Sequence, residues 1–286
     1  MNPTNRKNIV FKTLIETLKT NSLLKYGCLI LTFILIIVAF APIFATHNPY
    51  ELDGELLTPP SKEHWLGTDG LGRDVYSMLV YGARTSLLIG IVSALISGII
   101  GTVIGGIAGY FGGKVDRIIS EIINIFLMIP TFFLILIIVA LFGSSLVNVM
   151  IVIGLTSWPS NARLMRVQAM SLKKRVFVKS VEAMGESHGT ILFRYIIPNG
   201  IFPVIANTTL SVAGAILTEA GLSFLGLGDP NLISWGQMIF EGKSYMTSAW
   251  WISTFSGLAT VILVVSFYLI GDGLNTILNP KLKVRK

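Results

Sequence analysis

Apolar residues run through this chain in long uninterrupted stretches, and the polar positions that break them are few and clustered. A bilayer core asks for ~20 apolar residues at about 1.5 Å of helical rise each. Uncharged runs of that length predict six spans, at about 26–46, 86–110, 120–141, 147–166, 200–222 and 251–272. The third and fourth share one uncharged stretch, Ile122 to Ala162. As a single helix it would measure ~60 Å, about twice the hydrocarbon core, so it must fold back. The turn falls most naturally at Gly143-Ser144-Ser145. Pro130 predicts a kink within the third span.

Two shorter patterns stand outside the spans. Ahead of the second, Val75, Tyr76, Leu79, Val80 and Ala83 share one helical arc, with Asp74, Ser77 and Tyr81 opposite. That pattern predicts a short helix lying along the outer interface, where Trp65, Tyr76 and Tyr81 suit the headgroup level. The other pattern is the long polar interruption 173–199. At 100° per residue, Phe177, Val178, Val181 and Met184 fall on one face, while Lys179 and Glu182 point away. Gly185 stands where a helix C-cap takes positive φ, and Ser187 is placed to N-cap the next segment. Thr190 to Ile197 is apolar on nearly all sides apart from Arg194, and Pro198 is expected to stop it. The prediction is a short helix, a glycine corner and a second short helix. Connections longer than ~12–15 residues are usually functional or disordered, and this one is too patterned for disorder.

Inside the second span, Ser93, Ser97, Gly101, Gly105 and Gly109 place small residues at every fourth position. Lipid offers no hydrophobic drive between helices, so such a stripe is read as a surface for close helix packing.

Composition agrees with a membrane protein. Only 13% of the 286 residues are charged and 52% are hydrophobic, with a mean hydropathy of +0.73. Soluble domains carry roughly a quarter charged residues. The pI near 9.5 does not point to nucleic acid, because the basic residues lie beside apolar spans rather than on one soluble domain. Arg6, Lys7, Lys12, Lys19 and Lys25 precede the first span, and Lys114 and Arg117 follow the second. Arg163, Arg166, Lys173, Lys174, Arg175, Lys179 and Arg194 surround the 173–199 stretch, and Lys281, Lys283, Arg285 and Lys286 close the chain. With six spans all of these share one face, leaving only Lys62, Arg73, Arg84 and Lys243 on the other. The positive-inside rule then predicts cytoplasmic termini and a cytoplasmic 173–199 stretch. The apolar run from Tyr26 is long enough to stay as an anchor rather than be cleaved as a signal.

Catalytic chemistry is hard to find. The single cysteine, Cys28, sits in an apolar run and is read as packing. His47, His64 and His188 are scattered, with no pair at metal-ligand spacing. AGYFGGKV (108–115) looks like a phosphate loop, but Ala108 stands where its first glycine belongs and Val115 where Ser or Thr would bind magnesium. It is read as a short turn, so any ATPase must be another chain. Glu121, Glu219 and Asp272 are the charges within or at the ends of spans, and none is at a midplane position. That weighs against a proton- or sodium-coupled carrier or a channel.

Several blocks, in order, resemble one family. HWLGTDGLGRDVYSMLVYGARTSLL (64–88), GYFGGKVDRII (109–119), SWPSNARLMR (157–166), SFLGLG (223–228), SWG (234–236) and GDGL (271–274) are similar to motifs of the C-type inner-membrane permease subunits of ABC importers for dipeptides, oligopeptides and nickel or metal chelates. In that family's cytoplasmic loop Lys179-Ser180-Val181 stands where Glu-Ala-Ala is usual, while Gly185, Arg194, Pro198 and Asn199 agree. Trp65 replaces a usual Pro and Met78 a usual Arg.

The resemblance implies an all-α polytopic membrane protein of six transmembrane helices with the type I ABC importer transmembrane fold. It divides the chain into an anchor and extracytoplasmic segment (1–83), a transmembrane core (84–274) and a basic tail (275–286). It also implies a bacterial or archaeal cytoplasmic membrane, a second permease of similar fold, two cytoplasmic ATPase subunits and an extracytoplasmic solute-binding protein. ATP and magnesium would sit on the ATPases, with no cofactor on this chain. The residues expected to couple to the ATPases are Phe177, Lys179, Ser180, Val181, Glu182, Ala183, Met184, Gly185 and Arg194. Phe177, Val181 and Met184 are expected to bury against them. The cargo expected is a peptide, with nickel or a metal chelate as the alternative.

Overall fold

The computed structural model describes residues 21–52 and 54–278, and among them the regular structure is helical apart from one antiparallel bridge between Thr68 and Asp74. Arg6, Lys7, Lys12, Lys19 and the basic residues of the tail lie outside the described residues. Helix α1 (Ser22–Ala39) opens on Asn21, whose side chain accepts from the Leu23 and Leu24 amides at 3.0 and 3.2 Å. The short α2 (Ala41–Phe44) leads into an irregular segment that ends at Asp74.

Asp74 caps α3 (Val75–Phe111) by accepting from the Ser77 amide at 2.8 Å. At 37 residues α3 is ~55 Å long, well beyond a hydrocarbon core. The separate interfacial helix expected around 75–83 is therefore absent, and the boundary read at 83/84 falls inside one continuous helix. Of the arc expected at the interface, Val75, Val80 and Ala83 are buried and Tyr76 and Leu79 half-buried. Val75, Met78 and Ala83 pack with Ile233, Trp235, Met238, Trp251 and Ile252 in the largest apolar cluster. Arg84 misled the sequence reading, because a charge looks like the edge of a span. Its Nε donates to the Val38 carbonyl at 2.8 Å, at the end of α1, where the last carbonyls lack intrahelical donors.

After a turn at Gly112 and Gly113, both with positive φ, α4 (Gly113–Met128) runs to Pro130. There the chain does more than kink. α5 (Thr131–Phe142) departs at 83° from α4. Gly143 (φ 96°) turns the chain back, and Ser145 caps α6 (Leu146–Lys173). Beyond α6 come α7 (Val176–Ala183), the single turn α8 (His188–Thr190), a π-helical turn Ile191–Ile196, α9 (Ile197–Gly200) and α10 (Phe202–Phe224). The bundle closes with α11 (Trp235–Lys243) and α12 (Trp251–Leu278).

Helix α3 is the central pillar. It packs along α6 on one side and against α10 on another, while α12 joins α10, α11 and α1. Among the described residues three helices, α1, α3 and α12, are long and apolar enough to cross a membrane. The count is five if each bent pair, α4 with α5 and the 188–200 segment with α10, makes one span. Helix α6 has the length, 28 residues, but its second half carries Ser160, Asn161, Arg163, Arg166 and Lys173.

Candidate functional site

The stripe on α3 faces α6. A Cβ built on Gly105 would overlap the Ala162 carbonyl, with Ala162 Cα only 2.8 Å away, and one on Gly109 would overlap the Arg166 carbonyl. At Gly101 the nearest atoms are Asn161 Cβ at 2.5 Å and the Trp158 carbonyl at 2.8 Å. Ser97 has the room for its hydroxyl to accept from Asn161 Nδ2 at 3.0 Å. Asn161 Oδ1 in turn accepts from Asn207 Nδ2 at 2.9 Å and from the Thr208 hydroxyl at 3.4 Å. A fully buried amide thus ties α3, α6 and α10 at one level, which nothing in the local sequence announces. Near the far end of α6, Arg166 grips both oxygens of Asp116, holding α4 to α6.

These helices deliver the 173–200 segment to the C-terminal end of α3. Lys173 Nζ donates to the Tyr110 carbonyl at 2.7 Å, where α3 has run out of its own donors. The Tyr110 hydroxyl meets His188 Nδ1 at 2.8 Å. This Lys173–Tyr110–His188 bracket was missed by the sequence reading, since its members are far apart along the chain.

Helix α7 ends in a Schellman motif. The Gly185 amide donates to the Glu182 carbonyl at 3.0 Å and the Glu186 amide to Val181 at 3.4 Å, with Gly185 at φ 84°. Ser187 then accepts from the Thr190 amide at 3.2 Å. The proline does not stop the second helix as expected. Ahead of Pro198 the helix widens into π geometry, so that the Ile197 amide reaches back five residues to Leu192, and the helix continues to Gly200. Asn199 Nδ2 donates to the Tyr195 carbonyl at 2.6 Å, and the chain then bends 62° into α10.

The apolar arc of α7 divides in two. Val178 is 1% exposed and packs with Tyr110, Met165, Ala169, Ile191, Leu192 and Ile196, with Val181 half-buried beside it. Val181, expected on the outer docking face, is therefore half-covered by its own chain, where α7 packs against the π segment. Phe177 and Met184 stay exposed, at 41% and 81%, joined by Val176. Lys179, Ser180, Glu182, Ala183, Gly185 and Arg194 are exposed around them. An apolar knob with a charged rim is thus held on a helix anchored from behind. Metal-ligating side chains do not gather here. Among the described residues they do so at His47, His64 and Asp74, at the opposite end of α3.

A family model described as binding-protein-dependent transport system inner membrane component matches residues 101–284. The chain belongs to that family. This transport component is 38% identical over 270 residues to the dipeptide transport system permease protein DppC of Alkalihalophilus pseudofirmus, covering 94% of this chain and 89% of that protein. It is 34% identical over 268 residues to the oligopeptide transport system permease protein OppC of Bacillus subtilis, covering 93% and 88%. Both relatives are named as transport permeases rather than enzymes. In three dimensions it is similar to an inward-facing structure of the MetNI methionine ABC transporter, with a TM-score of 0.56 and 21% identity over 71% of this chain and 97% of that one. The fold of this inner membrane component is thus the all-helical type I ABC importer permease fold.

Proposed function

We propose that the chain is one of two similar permease subunits of an ATP-driven importer of di- and oligopeptides, with ATP and magnesium held by two separate cytoplasmic ATPase subunits. The observation that carries the coupling role is the exposed knob of Val176, Phe177 and Met184 on a helix whose back is buried against α3, α6 and the π segment. An ATPase groove that takes this knob moves a rigid body, because Val178, the Schellman corner and the Lys173–Tyr110–His188 bracket leave α7 little freedom of its own. Lys179 and Glu182 form the polar rim of that contact. Shielded by α3 and its partners, α6 makes a sixth crossing despite its polar half, which returns both termini and α7 to the cytoplasm.

On the membrane face, an apolar cleft of about 450 Å³ between α3 and α10, bordered by Leu95, Ile99, Val103, Ile205 and Thr209, is assigned to the second permease. A solute-binding protein delivers cargo at the other end. The peptide assignment follows relatives named for dipeptide, oligopeptide and glutathione transport, and nickel is not favoured.

The test of coupling is Phe177→Asp. A charge in place of the aromatic side chain that enters the groove is expected to reduce co-purification of the ATPase subunits by about tenfold or more. Undiminished recovery refutes the docking face. Thermal shifts of the cognate binding protein with dipeptides, against nickel chelates, test the cargo.

A further inference from the structure

Two points of the irregular segment fold back onto the residue that starts α3. His47 comes from the connector after α2, His64 from the irregular segment and Asp74 from the N-cap of α3. His64 Nδ1 lies 3.0 Å from Asp74 Oδ1, and His47 Nδ1 lies 3.8 Å from the same oxygen. The two imidazole rings are 4.7 Å apart. One ligand atom from each of the three residues lies within 4.8 Å of the other two.

The other carboxylate oxygen is already occupied. Asp74 Oδ2 accepts from the Ser77 amide at 2.8 Å and from the Thr46 hydroxyl at 3.2 Å, which turns Oδ1 toward the imidazoles. The Asp74 side chain is 1% exposed, and among the described residues the two histidines are the only basic groups within 4.0 Å of it. Its sequence neighbour Arg73 is bound to Asp69 and Glu241 instead. A buried carboxylate thus faces two imidazoles, one of them too far away for a hydrogen bond.

We propose that His47, His64 and Asp74 form a binding site for a divalent transition metal of the zinc or nickel class. A tetrahedral ion with ligands at about 2.0–2.1 Å spaces neighbouring ligand atoms by about 3.3 Å. The observed separations of 3.0 and 3.8 Å bracket that spacing. Two imidazoles and one carboxylate suit borderline ions, whereas calcium and magnesium take mostly oxygen ligands. His47 and His64 also line a polar cleft of about 270 Å³ with Glu55 and Glu63, which has room for water or a carboxylate as a fourth ligand. The ion would pin the connector and the irregular segment to the start of α3.

The test uses the tag-free transporter complex in nanodiscs, stripped with chelator, titrated with Zn²⁺ alone, desalted and assayed for metal content and melting temperature. His47 is half-buried at the surface, and His47→Ala removes a ligand without disturbing the helix cap. Wild type is expected to retain one more equivalent per complex than His47→Ala, with at least tenfold tighter affinity and a zinc-dependent rise in melting temperature that the variant lacks. Co²⁺ is expected to give a tetrahedral absorption band that His47→Ala loses. Equal metal content and equal melting behaviour in the two proteins overturn the proposal. Neither readout involves cargo or ATPase coupling, so this result stands apart from the import reading.

Discussion

Gly185 shows how much one backbone angle decides. A Cβ there would meet nothing within 4 Å, so the residue is not needed for space. Its φ of 84° is another matter, since an L-residue in the left-handed region costs roughly 1–2 kcal/mol. Gly185→Val, β-branched as well, is expected to insert normally yet lower substrate-stimulated ATP hydrolysis by tilting α7 off its partner. Wild-type coupling in that variant would remove the corner from the mechanism. Gly185 and Ser187 were legible in the sequence because a cap is local chemistry, satisfied within five residues. Asn161 and the Tyr110–His188 contact were not, because a buried polar side chain is explained only by its distant partners. His47 and His64 looked incidental for the same reason.

Among elements, α3 carries the most consequence. At Gly105 even one methyl group would strike the Ala162 backbone, which has no rotamer to move aside. Gly105→Ala is therefore expected to cost about 1–3 kcal/mol and Gly105→Leu more, seen as a lower melting temperature and poor recovery of assembled complex. Gly214→Ala, which meets nothing within 4 Å, is the control expected to behave as wild type. A normal Gly105→Leu complex would dismiss the close-packing role. The period-four spacing of small residues made this face readable. The start of α3 was not, because Arg84 reads as a boundary until its hydrogen bond to α1 is seen. Both prolines were read as weaker or stronger than they are. Pro130 divides two helices at 83°, while Pro198 is absorbed by a π turn. The difference lies in the neighbours: Ile197 and Asn199 supply donors to the widened turn, an arrangement that propensity alone does not reveal.

At the scale of the molecule, the import reading requires the two ends of α3 to lie on opposite sides of the membrane. Met184 and Trp65 are exposed near those ends. In a Cys28→Ser background, Trp65→Cys is expected to react with a membrane-impermeant maleimide in intact cells, and Met184→Cys only after the membrane is opened. Labelling of both from outside would overturn the orientation and the ATPase contact with it. The sequence by itself determined that the chain is a bundle of membrane helices with a patterned helix–glycine–helix segment, because hydrophobic run length and capping depend on neighbours along the chain. Tertiary structure alone decided which half of the α7 arc stays exposed, where α3 begins and which polar groups meet inside, because burial and pairing belong to residues that are far apart along the chain.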